Sequence, residues 1–155
     1  DHRASSRGKT ELPIESFHIP LIVYAPAHVA PRRIDTLASQ IDVAPTLLGL
    51  LNFSYRSKFF GQDVFAAAPA QGRALIANYQ TVGYLQDDML VELRPKARVR
   101  IVDGASQREL PESPQHAPIV DLGIAYYEIA SEAFRSGALH TAAGEYLMPE
   151  KVAAR

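Results

Sequence analysis

The run Ile19-Pro20-Leu21-Ile22-Val23-Tyr24-Ala25-Pro26 sets five consecutive apolar side chains between two prolines. Continuous rather than alternating apolarity leaves no face for water, so residues 21–25 predict a strand buried on both faces, as in parallel sheets flanked by helices. Such a strand needs parallel neighbours, and no other run in the chain has this character. It must therefore pair with the chain's own later strands or leave a bare sheet edge, which invites aggregation.

The surrounding sequence up to residue 65 reads as α/β. Residues 1–17 are polar, with Ser5, Ser6, Gly8 and Pro13 and no sustained period, and predict a loop with one short helical turn. Loops of this kind often carry sites. Residues 26–35, with Pro31, Arg32 and Arg33, predict an exposed connection. A helix is expected from Asp42 to near Asn52, with Asp42 as N-cap, Pro45 tolerated in the first turn, and Val43, Leu47, Leu50 and Leu51 at helical spacing. Residues 53–65 form an aromatic-rich loop turning at Gly61, and residues 66–72, around Pro69, a short linker.

From Arg73 the period becomes two. Residues 74–79, 82–86, 89–93 and 98–102 are β-prone runs separated by turn residues such as Asp87-Asp88, Pro95 and Asp103-Gly104, which predicts an antiparallel meander. Arg98 and Arg100 alternate with Val99 and Ile101, so one face is expected to be wet. Residues 109–118 hold three prolines and should be irregular. A final helix is expected over residues 121–136, presenting Leu122, Tyr126, Ile129, Ala133 and Phe134 on one face and stopping at Gly137, before a weakly ordered tail. The chain thus divides into residues 1–65, residues 66–137 (meander and helix) and a tail, residues 138–155.

Composition removes whole classes of function. The 155 residues amount to about one ordinary domain. A formal charge of −1 offers no basic excess for a phosphate backbone, so nucleic acid is not an expected partner. Without cysteine there is no disulfide framework, thiolate metal site or cysteine nucleophile, and any metal must sit on His, Asp, Glu or hydroxyl groups. No apolar stretch approaches the ~20 residues of a membrane-spanning helix, and no signal peptide opens the sequence, so the chain as given reads as soluble.

The chemically suggestive pair is Asp1-His2, a carboxylate and an imidazole suited to zinc or manganese, followed by a polar loop and then the apolar strand. Ligands gather at strand ends in open α/β sheets. Two donors at the first two positions suggest a fragment of a larger enzyme.

The run Asp1-His2, Lys9, Glu15-Ser16-Phe17-His18-Ile19-Pro20-Leu21-Ile22 resembles the C-terminal segment of the alkaline phosphatase superfamily, in its sulfatase and lipoteichoic acid synthase branch. Gln40-Ile41-Asp42-Val43-Ala44-Pro45-Thr46-Leu47-Leu48 is similar to that branch's helix start, and Phe60-Gly61-Gln62-Asp63 to the loop after it. Each motif is modest alone, but their order over some sixty-three residues is specific. His18, Thr36-Leu37-Ala38-Ser39-Gln40 and Asn52-Phe53-Ser54-Tyr55 look closest to the membrane-anchored phosphoglycerol transferases.

The resemblance implies an α/β fold, the C-terminal part of an alkaline-phosphatase-like (sulfatase-like) sandwich with a small antiparallel β-meander and a C-terminal helix. It also implies a metal-dependent transferase or hydrolase of phosphate or sulfate esters. A divalent ion (Mn, Zn, Mg or Ca) lowers the pKa of a hydroxyl nucleophile and acts as Lewis acid toward the ester. Asp1 and His2 match two metal ligands, while the other ligands and the nucleophile lie upstream in the family, so no catalytic nucleophile is expected in this chain, which should be inactive alone and bind metal poorly. Lys9 matches a lysine contacting the anionic ester, and an ordinary solvated lysine is the plain alternative. His18 is a hydrogen-bond donor or proton carrier toward the site, or orders the strand entrance. Arg3 departs from the small or aromatic residue usual after the pair and could contact an anionic ester bidentately.

The implied partners are an anionic ester, a phospholipid head group among the candidates, and the missing N-terminal part of the same protein. The implied location is extracytoplasmic, with anchoring helices absent from this chain. An arylsulfatase-type hydrolase and a non-catalytic binding or structural module are the alternatives. Ser5 and Ser6 belong to no recognisable catalytic trio, Arg32 and Arg33 are too few for a lipid-binding cluster, Tyr126-Tyr127 reads as half core and half surface, and His28, His116 and His140 carry no assignment.

Overall fold

The change of period at residue 73 is realised in a computed structural model, which describes residues 11–140. The first part holds a single helical turn, α1 (Ile14–Phe17), and α2 (Val43–Leu50), entered through a 3-10 turn at Gln40–Asp42. A second 3-10 turn, Pro69–Gln71, leads into strands β1 (Ala74–Ala77), β2 (Val82–Gln86), β3 (Met89–Arg94) and β4 (Arg98–Asp103). They form one antiparallel sheet in the order β1-β2-β3-β4. A 3-10 turn at Pro114–His116 then opens α3 (Ala117–Arg135).

Alternation along the strands sends side chains to two faces, and both are covered at the centre of the sheet. On one face Ala74, Leu85, Leu90 and Val102 enclose Leu12, with Ile14, Phe17 and Leu37 packed around them. On the other, Tyr84 and Val91 meet Ile119 of α3, flanked by Leu75, Leu93 and Tyr126. Gly123 sets the close approach of α3, because a Cβ there would lie 3.2 Å from Tyr84 Cβ and 3.5 Å from Val91 Cγ1. The helix ends at Arg135, and Gly137 just beyond it, with a φ of +72°, is the left-handed stop expected there.

A buried ion pair joins the first part of the chain to the sheet. Asp42 and Arg73 are 1% and 4% exposed at their side chains, and the guanidinium donates to both carboxylate oxygens, at 2.8 and 3.0 Å. The amides of Ser39 and Gln62 donate to the same two oxygens, each at 2.8 Å. Arg73 also donates to the Phe60 carbonyl at 3.0 Å and to the Tyr126 hydroxyl at 3.3 Å. Burial works against the Arg73 charge, but its hydrogen bonds to Asp42 and Tyr126 outweigh that and hold its pKa above the ordinary value.

The structure corrects four sequence expectations. Residues 21–25 are not a strand: they are non-helical backbone with no strand partner among the described residues, with Leu21, Ile22 and Tyr24 exposed at 63%, 83% and 87%. A two-sided strand needs neighbours on both edges, and among the described residues every strand belongs to the meander. Asp42 sits at the start of α2 but its side chain does not cap the helix; its carboxylate is taken up by Arg73 and the two amides. The face of β4 carrying Arg98 and Arg100 is wet only at its start: Arg98 is exposed, but Arg100 is covered and paired with Glu92 and Glu109. Finally, α3 starts four residues early and is rotated: Ile119, Val120, Gly123 and Tyr126 meet the sheet, leaving Leu122, Ile129 and Phe134 exposed.

Removing one partner of a buried pair strands the other charge, so Asp42→Ala is expected to lower the unfolding free energy by ~3–5 kcal/mol. Urea denaturation checks this, and a loss below ~1 kcal/mol would contradict the structure. At the end of β4, the Asp103 carboxylate accepts hydrogen bonds from the Ser106 hydroxyl at 2.6 Å and the Ser106 amide at 2.7 Å, which hold its pKa below the ordinary aspartate value. Its contribution to stability is therefore present above the ordinary value and lost as pH falls through the lowered one. An NMR titration should place Asp103 below a free aspartate, and Ser106→Ala should move it back up; an unmoved midpoint in the variant would contradict this.

Candidate functional site

Asp1, His2, Arg3 and Lys9, together with Ser5 and Ser6, lie outside the described residues. The segment that follows them is described, and it is pinned to the meander. Asn78 Nδ2 donates to the Glu11 carbonyl at 3.2 Å, the Leu12 amide donates to Glu92 Oε1 at 3.3 Å, and the Ile14 amide donates to Gln107 Oε1 at 3.3 Å. The Leu12 side chain, 1% exposed, fills the core between β1, β2, β3 and β4. Three polar contacts and one apolar plug therefore fix the chain just beyond Lys9.

Glu92 is the centre of this anchor. It is 1% exposed on β3, and its second oxygen pairs with Arg94 at 2.6 Å and with Arg100 at 3.4 Å. Arg100, its cross-strand partner in the register, also pairs with Glu109 at 2.8 Å. A buried carboxylate is tolerated only when charges and donors replace its water, and here two guanidiniums and one amide do so.

His18 follows α1, where its amide donates to the Ile14 carbonyl at 3.0 Å, and the residue is exposed. With residues 21–25 unpaired, His18 orders no strand entrance in this structure. The described residues bring none of the predicted site side chains together, and among them there is no cluster of three His, Asp or Glu side chains able to hold a metal ion. Arg32 lies over the Phe65 ring at 4.3 Å and Arg33 pairs with Asp35 at 2.6 Å, so each is engaged by a neighbour.

The Asp42 and Phe60-Gly61-Gln62-Asp63 motifs form one unit. Thr46 Oγ1 accepts from the Val64 amide at 3.1 Å while Asp42 holds the Gln62 amide. Gly61 has to be glycine because a Cβ there would run into the Ile41 carbonyl. A groove of about 330 Å³ runs between β1 and α3, lined by Ile41, Phe60, Leu75, Val82, Tyr126 and Ala130. Its walls are apolar, with no cation to orient an anionic ester.

Comparison with known proteins places this arrangement. The Sulfatase family model matches residues 1–53, which include Asp1, His2, Lys9 and His18. The crystal structure of a protein in the alkaline phosphatase superfamily from Vibrio parahaemolyticus is 30% identical, with a TM-score of 0.76, over 90% of this chain and 35% of that one. The two matches support an alkaline-phosphatase-superfamily segment with a sulfatase-like α/β fold. It spans about a third of the length of the solved chain it matches.

Sequence reasoning missed Glu92 and Arg73 as organising residues. The sequence held one weak signal, Arg94 two residues after Glu92 on the same face of a strand, and the pairing with Arg100 shows only in the register. Leu12→Ala should lower stability by ~2–5 kcal/mol, as for other buried leucines, and make residues 11–18 susceptible to protease. Wild-type resistance in the variant would show that the anchor does not depend on this plug.

Proposed function

We propose that this chain is the C-terminal portion of a metal-dependent phosphotransferase or hydrolase of phosphate esters, of phosphoglycerol-transferase type. The supporting observation is the order of motifs from Asp1-His2 through Lys9, His18 and Asp42 to Phe60-Gly61-Gln62-Asp63 in a chain of alkaline phosphatase superfamily fold. Superfamily members are typically dependent on a divalent metal. Asp1 offers a carboxylate oxygen and His2 an imidazole nitrogen, a donor set that fits manganese or zinc and also needs ligands from elsewhere. When bound, the ion supplies Lewis acidity toward the ester oxygens.

This chain's own residues bind and orient around that centre. Lys9 presents a point charge and Arg3 a bidentate fork to the ester's anionic oxygens. His18 donates a hydrogen bond or carries a proton. The remaining ligands and the nucleophile are assigned to an N-terminal part of the same protein, which also covers the exposed Leu21, Ile22 and Tyr24. On this reading the chain alone is inactive, and the whole enzyme is anchored on the extracytoplasmic side of a membrane, acting on an anionic ester such as a phospholipid head group. Among the described residues no helix is long and apolar enough to cross a membrane.

A sulfate-ester hydrolase is the second reading, favoured by the match to the Sulfatase family. One assay separates the two: the enzyme carrying the upstream segments is offered a glycerol phosphodiester and an aryl sulfate. Turnover of the phosphodiester is expected, falling about a hundredfold or more in Asp1→Asn and His2→Ala, since even outer-shell changes at metal sites cost ~10–100-fold. Preference for the aryl sulfate would favour the sulfatase, and undiminished turnover in both variants would remove Asp1 and His2 from the site.

A further inference from the structure

We propose that the tip of the β3–β4 hairpin is a contact for an anionic phospholipid surface, made by Arg94, Lys96, Arg98 and Arg100 together with Val99. Residues 94–100, Arg-Pro-Lys-Ala-Arg-Val-Arg, place four cations in seven positions with no acid among them, in a chain whose net charge is −1. Folding draws them together. The register sets Arg94 opposite Arg98 and Arg100 opposite Glu92, so the three arginines share one face of the sheet.

Like charges directly opposite each other destabilise a strand pair, and the nearby acids offset only part of this cluster. Glu92 brings one negative charge, shared between Arg94 and Arg100, and Glu109 brings a second to Arg100. Lys96 and Arg98 are exposed and have no acidic partner among the described residues. Arg98 Nε donates instead to the Pro95 carbonyl of its own turn, at 3.4 Å. The turn is a stiff mount for these charges. Pro95 has a fixed φ, and Lys96 and Ala97 both take left-handed backbone, at φ +63° and +52°, which costs any residue that has a Cβ. Glycine would remove that cost at position 96; lysine adds a charge in its place.

The chemistry of the tip favours a bilayer over other anions. Exposed cations offer one small phosphate little more than water does, whereas a bilayer presents many phosphates in a plane, and each Lys or Arg near it adds about fivefold in affinity. Val99, 38% exposed between Arg98 and Arg100, supplies apolar area suited to a lipid interface. Residues 94–100 hold no aromatic side chain on which a nucleobase could stack.

Co-sedimentation of this chain with vesicles tests the proposal. Vesicles of equal parts phosphatidylglycerol and phosphatidylcholine are expected to carry the chain down at low salt, and to release it as added salt screens the charges; pure phosphatidylcholine vesicles are expected to leave it in solution. Neutralising the two unpartnered cations in the double variant Lys96→Gln, Arg98→Gln is expected to weaken binding about twentyfold, at about fivefold for each. The pair Arg33→Gln, Arg135→Gln removes the same charge from exposed sites away from the tip and is expected to leave binding within about twofold, since those charges lie beyond the screening length of the surface. Equal sedimentation with both vesicle types overturns the proposal, as does undiminished binding in the tip variant or an equal loss in the control variant. Release by millimolar inorganic phosphate at fixed ionic strength would make the tip a small-anion site instead. Tighter binding to polyuridylate than to the anionic vesicles, lost in the tip variant, would make it a nucleic-acid contact, and either result overturns the lipid assignment.

Discussion

The bidentate contact between Asp42 and Arg73 is the constraint from which the rest of the architecture follows. Asp42 leads into α2 and Arg73 immediately precedes β1, so this one pair fixes the first part of the chain against the sheet. Its geometry explains why it can be buried. Four donated hydrogen bonds saturate the two carboxylate oxygens, and the guanidinium reaches a carbonyl and a tyrosine hydroxyl besides. The contact extends into α3 as well, because Tyr126 stacks on Tyr84 at 5.4 Å, and Tyr84 lies in the core of the sheet. The residues that make the Asp42 and Gly61 motifs resemble those of a known enzyme branch therefore have a structural office: they build the joint between α2, the loop at residues 60–65 and the meander.

The meander was the most legible part of the fold. Period-two alternation between turn residues is a local signal, and β2 starts and ends where the pattern places it, while Asp87 and Asp88 adopt the left-handed backbone that a tight hairpin turn demands. The core face of α3 was not legible. An apolar stripe through Leu122, Tyr126 and Ile129 looks like the buried face when apolar side chains are counted, yet the helix packs on Gly123, whose value lies in having no side chain. Residues 21–25 show a different failure. The sequence pattern of a two-sided strand is present, but strand formation is a property of neighbours, and among the described residues none flanks this run.

The candidate site was legible only through resemblance. Asp1, His2, Arg3 and Lys9 carry a recognisable order but lie outside the described residues, and His18 alone is placed, exposed beyond α1. What the structure adds is the anchor at residues 11–14, built on a carboxylate that looked like an ordinary strand residue. Glu92 could not be singled out without the register, because only pairing with β4 sets Arg100 opposite it and only the folded chain brings the Leu12 amide to it. Residues 11–14 are held by the sheet, and the apolar run beyond them, with Leu21, Ile22 and Tyr24, is exposed.

The central claim of the proposed function is that residues 21–25, which pair with no strand in this chain, become an interior strand only when other segments of a sulfatase-like enzyme are present. Amide hydrogen exchange over these residues tests it most directly, measured in this chain alone and again in the protein carrying the upstream segments. The account requires fast exchange in the first and strong protection in the second, comparable to that of β3. Fast exchange in both would show that the run is not a strand of the larger sheet, and the assignment of this chain as the closing part of that enzyme would fall with it.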